Sequence, residues 1–132
     1  MNKELVEIVD KDYVLMRRDL GLIMKDVLTD SEFANLVLIG TLTGEKDCIL
    51  RTNKGKGEIA GVNEIAEKIN RSTSTVRRLL KKYIENDIIY KLDKKSKYNK
   101  YGKDVYIINP NLFRRDGEID DNLLEFFYGK RW

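Results

Sequence analysis

Residues 62–86, VNEIAEKINRSTSTVRRLLKKYIEN, contain two apolar patterns of helical spacing on either side of a short polar link. The first pattern has an apolar residue at every third or fourth position, which predicts a helix of about two turns. Its members are Val62, Ile65, Ala66 and Ile69. After the link Asn70-Arg71, Ser72 is a good N-cap, because its hydroxyl can accept a hydrogen bond from the backbone N–H of Ser74 or Thr75. The sequence therefore predicts two consecutive helices with a tight turn between them.

The second helix, which begins at Ser72 and runs to about Asn86, has an apolar and a polar side when successive residues are placed about 100° apart. An arc of about 140° is apolar and predicts packing against the rest of the chain. That arc consists of Val76, Leu79, Leu80, Tyr83 and Ile84. The opposite arc carries Ser74, Arg77, Arg78, Lys81, Lys82 and Glu85, with Thr73 at its edge. Small hydroxyl side chains therefore precede four cations on the polar side.

A basic hairpin is predicted directly after this helix. Residues 88–92 (IIYKL) and 104–109 (DVYIIN) are rich in β-branched and aromatic side chains, which predicts two paired strands. Proline 110 ends the second strand, because it has no N–H for the ladder. The connecting loop 93–103, DKKSKYNKYGK, interleaves Tyr98 and Tyr101 with basic side chains. Its lysines are Lys94, Lys95, Lys97, Lys100 and Lys103.

The residues before position 48 predict further elements. Thr29-Asp30-Ser31-Glu32 has the form of a capping box ahead of a helix that is apolar nearly all round, which is typical of a core helix. Residues 19–27 predict a short helix with apolar residues on one face. Two β-prone stretches, LVEIV at 5–9 and YVLM at 13–16, predict an N-terminal β segment that pairs with a later segment or forms an arm.

Two more elements complete the prediction. Residues 48–52 (CILRT) predict a short strand between turns at 44–47 and 53–57, with Cys48 in or near the core. Residues 119–128 predict a last helix. Its apolar residues are Leu123, Leu124, Phe126 and Phe127, which either form a dimer face or fold back on the core.

Together these elements predict the α+β class and, within it, a winged helix–turn–helix: a three-helix core with a β-hairpin wing, plus an N-terminal β segment and a C-terminal helix. A length of 132 residues fits one domain. We therefore expect a single winged-helix domain over residues 1–132. Residues 1–28 are its N-terminal extension, residues 29–115 its winged-helix core and residues 116–132 its C-terminal helix.

Positive charge is concentrated in one part of the chain, although the net charge is only +3. Residues 71–115 contain 13 Lys and Arg against 4 Asp and Glu, which gives +9. Residues 1–70 (10 against 13) and 116–132 (2 against 5) each carry −3. A basic segment between two acidic ones is the footprint expected of a nucleic-acid-binding surface, although a solvated charged face gives the same count.

The residue types that the sequence lacks exclude several kinds of site. There is no histidine, so catalysis by Ser–His–Asp or Cys–His groups and His-ligated metals are excluded. The single cysteine, Cys48, permits neither an internal disulfide nor a thiolate zinc site, which favours the cytoplasm. No apolar run reaches the roughly 18 residues of a membrane helix, and no signal peptide is recognised. We expect no catalytic site, no cofactor, no metal and no membrane partner.

The polar side of the second helix is the predicted contact with double-stranded DNA. An α-helix fits the major groove of B-DNA, where each base pair presents its own donors and acceptors. The side chains predicted to contact base edges are Thr73, Ser74, Arg77 and Arg78. Those predicted to contact phosphates are Lys81 and Lys82 one turn later, and Arg71 and Ser72 at the helix start, where the helix dipole favours anions. The loop is expected to contact the backbone or minor groove through Lys94, Lys95, Lys97 and Lys100.

Two stretches resemble known DNA-binding families. Residues 62–89 resemble the general winged-helix pattern of bacterial regulators. Residues 105–113, VYIINPNLF, resemble the hairpin exit of RepL-type plasmid replication proteins, where a strand ends in Tyr-x-x-Asn-Pro, followed by an aromatic residue and a glycine. The corresponding residues are Tyr106, Asn109, Pro110, Phe113 and Gly117. Over residues 29–117 the order of elements is similar to that family as well.

The resemblance implies a small DNA-binding initiator or regulator of a plasmid or phage, which acts at an origin without catalysis and relies on host replication proteins. Tyr106 and Phe113 are expected to anchor the wing to the core. A transcriptional repressor bound at an operator is the main alternative, because it uses the same DNA contacts. A homodimer through the C-terminal or N-terminal segment is a further hypothesis.

Two other functions fit the sequence less well. A winged helix used as a protein-interaction module usually lacks a cationic helix face. A nicking enzyme with a tyrosine nucleophile needs, in its familiar form, a His-ligated metal, which this sequence cannot provide. The acidic residues Asp116, Glu118, Asp120 and Asp121 are expected to cap a helix and remain solvated.

Overall fold

The chain has the predicted mixed α+β fold, and its described residues form two small antiparallel sheets. The computed structural model describes residues 13–115 and 119–132. In this part of the chain the elements are β1 (Leu15–Met16), α1 (Leu20–Met24), α2 (Asp30–Gly40), α3 (Thr52–Gly55), α4 (Val62–Ile69), α5 (Thr73–Glu85), β2 (Ile89–Leu92), β3 (Val105–Ile108), β4 (Phe113–Arg114) and a C-terminal 3₁₀-helix (Asp121–Phe127). None of these described helices is long and apolar enough to cross a membrane.

The helix α2 begins at the predicted capping box. The backbone N–H of Glu32 donates to the Thr29 hydroxyl over 3.1 Å, and the Thr29 N–H donates to the Glu32 carboxylate over 2.8 Å. These bonds satisfy two donors that the start of a helix otherwise leaves free. The helix ends at Gly40, which lies against the ring of Phe113 so closely that a Cβ there would be 2.6 Å from a ring atom. The end of α2 therefore packs directly on β4.

The helices α4 and α5 occupy the two predicted segments and are joined by a tight turn. At the end of α4, Asn70 has left-handed backbone angles (φ 56°, ψ 53°), and the N–H of Arg71 donates to the carbonyl of Ala66 over 3.0 Å. The Ser72 hydroxyl then accepts from the Thr75 N–H over 3.1 Å. Both predicted helices, and Ser72 as the N-cap of α5, are confirmed.

The apolar side of α5 is buried, as the helical wheel predicts. Val76, Leu79, Leu80 and Tyr83 are at most 2% exposed, and Ile84 is half-buried. Helix α4 packs against both α2 and α5, and α5 packs against β2. The Tyr83 hydroxyl also donates to the carbonyl of Glu32 over 2.6 Å, which joins α5 to the first turn of α2. The position of α5 is therefore set by contacts near its C-terminal end and along its apolar side.

The bond from Tyr83 to Glu32 is expected to stabilise the fold. Tyr83→Phe keeps the packed ring and removes the hydroxyl donor, so we expect the free energy of unfolding to fall by about 1 kcal/mol. Urea unfolding measures this as a lower midpoint with an unchanged slope. Tyr128→Phe is the matched control, because Tyr128 is 89% exposed. Equal midpoints for the two variants would show that the hydroxyl contributes nothing.

The strands β2 and β3 form the predicted hairpin. They pair antiparallel from Ile89 opposite Ile108 to Leu92 opposite Val105. In the second sheet β1 pairs with β4, so the β-prone stretch 13–16 does pair with a later segment. The other β-prone stretch, 5–9, lies outside the described residues.

The strand predicted over residues 48–52 is only partly correct. Residues 49–51 form isolated bridges to Ile107, Thr43 and Ile59. Because these bridges go to three separate partners, no continuous ladder develops, and the left-handed backbone of Cys48 (φ 54°) ends the extended stretch. Cys48 itself is buried, as expected. The predicted turn at 53–57 is replaced in part by the short helix α3.

The predicted C-terminal helix is present as a 3₁₀-helix, Asp121–Phe127, within the predicted residues 119–128. Phe126 and Phe127 both lie against Tyr90 of β2, with ring centroids 4.6 and 6.2 Å from that of the tyrosine. Leu123 and Phe127 are buried, whereas Leu124 remains 46% exposed. The apolar cluster therefore folds back on the core. The predicted helix over 19–27 is shorter than expected, at Leu20–Met24.

Candidate nucleic-acid interface

The outer side of α5 carries exposed cations. Arg77, Arg78 and Lys81 are exposed, and Lys82 is half-buried. Among residues 13–115 and 119–132, none of their charged nitrogens has a carboxylate oxygen within 4.0 Å. Positive charge that is not neutralised within the protein attracts anions to this side of the helix.

A hydroxyl network defines the first turn of α5. Besides capping the helix, the Ser72 hydroxyl donates to the Thr75 hydroxyl over 2.9 Å and lies 3.2 Å from that of Ser74. Thr73 is half-buried, whereas Arg71, Ser72 and Ser74 are exposed. The guanidinium of Arg71 donates to the adjacent Asn70 carbonyl over 3.0 Å. Ser72 therefore has a structural role in the cap, whatever it contacts outside the protein.

A groove of about 570 Å³ lies between α5 and the hairpin strands, near their loop end. Arg77 and Lys81 line it from α5, Lys91 from β2 and Tyr106 from β3. Burial raises the pKa of the Tyr106 phenol, while the positive charges of Lys91 and Arg77 lower it and the negative charge of Asp104 raises it. Charged side chains of both α5 and the hairpin therefore line the same groove, and both affect the pKa of Tyr106.

Arg78 follows Arg77 about 100° further around α5. Burial and the negative charge of Glu32 raise the pKa of Tyr83, and the positive charge of Arg78 lowers it. Arg77 lines the groove beside the hairpin, whereas Arg78 is not part of that lining. The two adjacent arginines therefore diverge from the helix.

The hairpin loop provides a second set of cations. The predicted lysines Lys94, Lys95, Lys97 and Lys100 are all exposed. Within the described residues these side chains form no ion pair and no hydrogen bond to α5. The ammonium of Lys97 lies 5.1 Å from the ring centroid of Tyr98, which is itself 65% exposed. Helix and loop therefore offer two separate groups of positive charge.

Lys103 behaves differently from the other loop lysines. Its ammonium donates to the carbonyl of Ile59 over 3.2 Å, which ties the end of the loop to the segment that precedes α4. The loop is thus attached to the body of the protein beyond its two strands.

Two polar residues that shape the hairpin, Asp104 and Asn99, were not predicted from the sequence. One oxygen of Asp104 lies 3.7 Å from the ammonium of Lys91, and the other accepts from the N–H of Lys94 over 2.9 Å. Asn99 donates from its side chain to carbonyls at both ends of the loop. The available signals are an aspartate at the start of the second strand and an asparagine in the middle of a lysine-rich loop, and both also suit a solvated turn.

The C-terminal residues fasten the end of α5. The indole N–H of Trp132 donates to the carbonyl of Asn86 over 2.7 Å. The carboxylate of Asp87 accepts from the N–H of Arg131 over 3.3 Å and lies 3.8 Å from the ammonium of Lys130. These contacts satisfy a carbonyl at the helix end and hold the corner between α5 and β2.

Groups capable of metal or thiol chemistry are not assembled at this surface. In the described residues, no three cysteine or carboxylate side chains are placed to hold a metal ion. Asp116 and Glu118, two of the four acidic residues considered from the sequence, lie outside those residues. Burial, reinforced by the charge of Asp47, raises the pKa of the Cys48 thiol to about 12, so the thiol is protonated at neutral pH.

Comparison with known proteins gives no match to a family model, a curated protein or a solved structure. The fold and the surface therefore define a class of protein: an α+β protein with an exposed cationic helix beside a basic hairpin loop.

Proposed function

We propose that this chain is a winged helix–turn–helix protein that binds double-stranded DNA sequence-specifically and catalyses no reaction on it. One observation carries the proposal: the four cations on the outer side of α5, three of them exposed, are unpaired within the described residues, and a second unpaired set lies on the neighbouring hairpin loop. Two such sets match a polyanion with regularly spaced charges better than a single small anion.

The arrangement of elements supports the winged-helix assignment. The helices α2, α4 and α5 precede the hairpin β2–β3, and the left-handed Asn70 makes the tight turn expected between the two helices of a helix–turn–helix. The bridge between Ile49 and Ile107 adds an extended segment beside β3. Burial of Tyr106 and Phe113 agrees with their expected role as anchors of the wing.

In the proposed complex α5 enters the major groove with its N-terminal half. Arg77 and Arg78 each suit a guanine edge, to which an arginine can donate two parallel hydrogen bonds. Because they diverge from α5, they are expected to contact different base pairs. Thr73 and Ser74 contact bases or phosphates at the start of the helix, and Arg71, Ser72, Lys81 and Lys82 position the helix on the backbone.

The loop 93–103 acts as the wing. Lys94, Lys95, Lys97 and Lys100 contact phosphates beside the groove that α5 occupies, and each neutralised phosphate releases condensed counterions. The exposed rings of Tyr98 and Tyr101 pack on sugars between these contacts. The wing thus contributes affinity and orientation, while α5 contributes sequence preference.

We further propose that the bound duplex is an origin or maintenance site of a plasmid or phage. The support is the resemblance of residues 105–113 to the hairpin exit of RepL-type proteins. Such a protein acts with host replication proteins in the cytoplasm, and a homodimer suits a site with two-fold symmetry. A repressor at an operator uses the same contacts, so the DNA that is bound distinguishes the two roles.

Selection of bound fragments from the source genome, followed by anisotropy titration of the selected and a scrambled duplex, tests the proposal. We expect a Kd of about 10 nM or tighter for the selected duplex at physiological salt, and at least about a thousandfold weaker binding of the scrambled one. Origin fragments among those selected support the replication role, and promoter fragments support the repressor. Absence of binding to both duplexes would leave the protein-interaction module.

A further inference from the structure

Asn99 holds the two ends of the hairpin loop together. Its side-chain nitrogen lies 3.0 Å from the carbonyl oxygen of Leu92, 3.1 Å from that of Asp93 and 2.8 Å from that of Lys103. Its side-chain oxygen accepts from the N–H of Tyr101 over 2.8 Å. An amide has only two N–H hydrogens, so the three carbonyls share them. One side chain in the middle of the loop thus contacts the end of β2, the first loop residue and the residue before Asp104.

The other hydrogen bonds of the loop are mostly local. Asp93 accepts from the N–H groups of Lys95 and Ser96, and Ser96 accepts from that of Asn99. In the described residues, the bond from the Lys94 N–H to Asp104 is the only other one that joins the two sides of the loop. Without the Asn99 side chain, the bond from Lys94 to Asp104 would therefore be the one remaining hydrogen bond between the two sides of the described loop.

The charge of the loop opposes this compact shape. Four exposed lysines lie within seven residues, from Lys94 to Lys100, and like charges at such short spacing repel one another. A loop ordered before binding avoids the entropic cost of fixing its backbone when the complex forms. The Asn99 contacts therefore keep the lysines in one arrangement, which a phosphate backbone can then neutralise.

From these contacts we infer that Asn99 is a positioning residue of the interface: its amide presents the loop lysines to the phosphates of duplex DNA without itself contacting DNA. The inference rests on the proposed function. It predicts that replacing Asn99 weakens DNA binding only when the lysines that it positions are present.

A double-mutant cycle tests this inference. Asn99→Ala is combined with the triple substitution of Lys94, Lys95 and Lys97 by Ala, and the Kd for the selected duplex is measured for all four proteins. Asn99→Ala alone is expected to weaken binding about tenfold, because the loop must order on binding. In the triple-alanine background the same change is expected to weaken binding less than about threefold, because only Lys100 of the four loop lysines remains to be presented.

A matched control and a second readout separate positioning from general stability. Asn122→Ala removes an exposed asparagine of the 3₁₀-helix and should leave the Kd unchanged. NMR order parameters of the free Asn99→Ala protein should fall below about 0.6 in the loop and stay near about 0.85 in α5. A loss of order in α5 as well would overturn the positioning role.

The remaining outcomes are distinct. If the unmodified chain binds no duplex, the proposed function fails and this inference with it. If the unmodified chain binds and Asn99→Ala binds equally well, only the inference fails. An equal weakening in both lysine backgrounds also contradicts it, because Asn99 would then act independently of the lysines.

Discussion

Replacing Arg77 by alanine is expected to weaken binding of the selected duplex by about 1–3 kcal/mol and to relax sequence preference at one base pair. Arg77 is exposed on the hairpin side of α5 and has no carboxylate within 4.0 Å among the described residues, so its guanidinium is free to donate two hydrogen bonds to a guanine. The measurement is a set of anisotropy titrations with duplexes that carry each single base change.

Two control variants make the Arg77 result specific. Arg77→Lys keeps the positive charge but loses the planar pair of donors, so it should retain part of the affinity and still relax the preference. Arg18→Ala removes an exposed arginine outside the basic segment 71–115 and should change neither the affinity nor the sequence preference. Unchanged affinity and preference in Arg77→Ala would contradict the placement of α5 in the major groove.

Replacing Lys94, Lys95 and Lys97 together by alanine is expected to flatten the salt dependence of binding. Each lost phosphate contact reduces the slope of log K against log salt by about 0.9, so three lost contacts reduce it by up to about 2.7. Because these contacts are made to the backbone, selected and scrambled duplexes should be weakened alike. The slope is measured by titrations at four salt concentrations from about 50 to about 300 mM, a range that spans physiological ionic strength.

The control for the loop variant has the same change in net charge. Arg18, Lys25 and Lys56 are exposed and lie outside residues 71–115, and their joint replacement by alanine should leave the slope close to that of the unmodified chain. If the slope of log K against log salt fell equally in both triple variants, the loop would act only through net charge and would not contact DNA.

Periodicity and capping chemistry were sufficient to predict the central helices. The apolar positions of α5 are those that are buried, because a long amphipathic helix has one side on which it can pack. Ser72 and Thr29 begin their helices as predicted, since N-cap bonds depend only on residues within the same turn. The hairpin strands also lie where β-prone residues precede and follow the lysine-rich loop.

Features that depend on distant contacts could not be predicted in this way. The C-terminal 3₁₀-helix packs its two phenylalanines on Tyr90, which lies 36 residues before Phe126 in the chain. Residues 49–51 form bridges to three separate partners, whereas a strand prediction assumes one continuous neighbour. Local sequence contains no information about either packing partner.

The candidate site shows the same division between local and distant determinants. The helical wheel places Arg77 and Arg78 on one polar side, and the structure adds that Arg77 lines a groove shared with the hairpin whereas Arg78 does not. The lysines of the loop were identified by composition, whereas Asn99 was not, because an asparagine in a polar loop is also typical of an ordinary turn. Its importance follows only from the carbonyls that surround it.

An NMR titration of the isotope-labelled chain with its selected duplex tests the central claim most directly. The account predicts that the amide signals that shift most belong to residues 71–82 of α5 and its cap and to residues 93–103 of the loop. It also predicts that signals of the 3₁₀-helix stay nearly unchanged, because that segment packs on Tyr90 and contains none of the proposed DNA-contacting residues. Shifts confined to residues outside these two segments, or no shifts at a saturating excess of duplex, would contradict DNA binding by α5 and the hairpin.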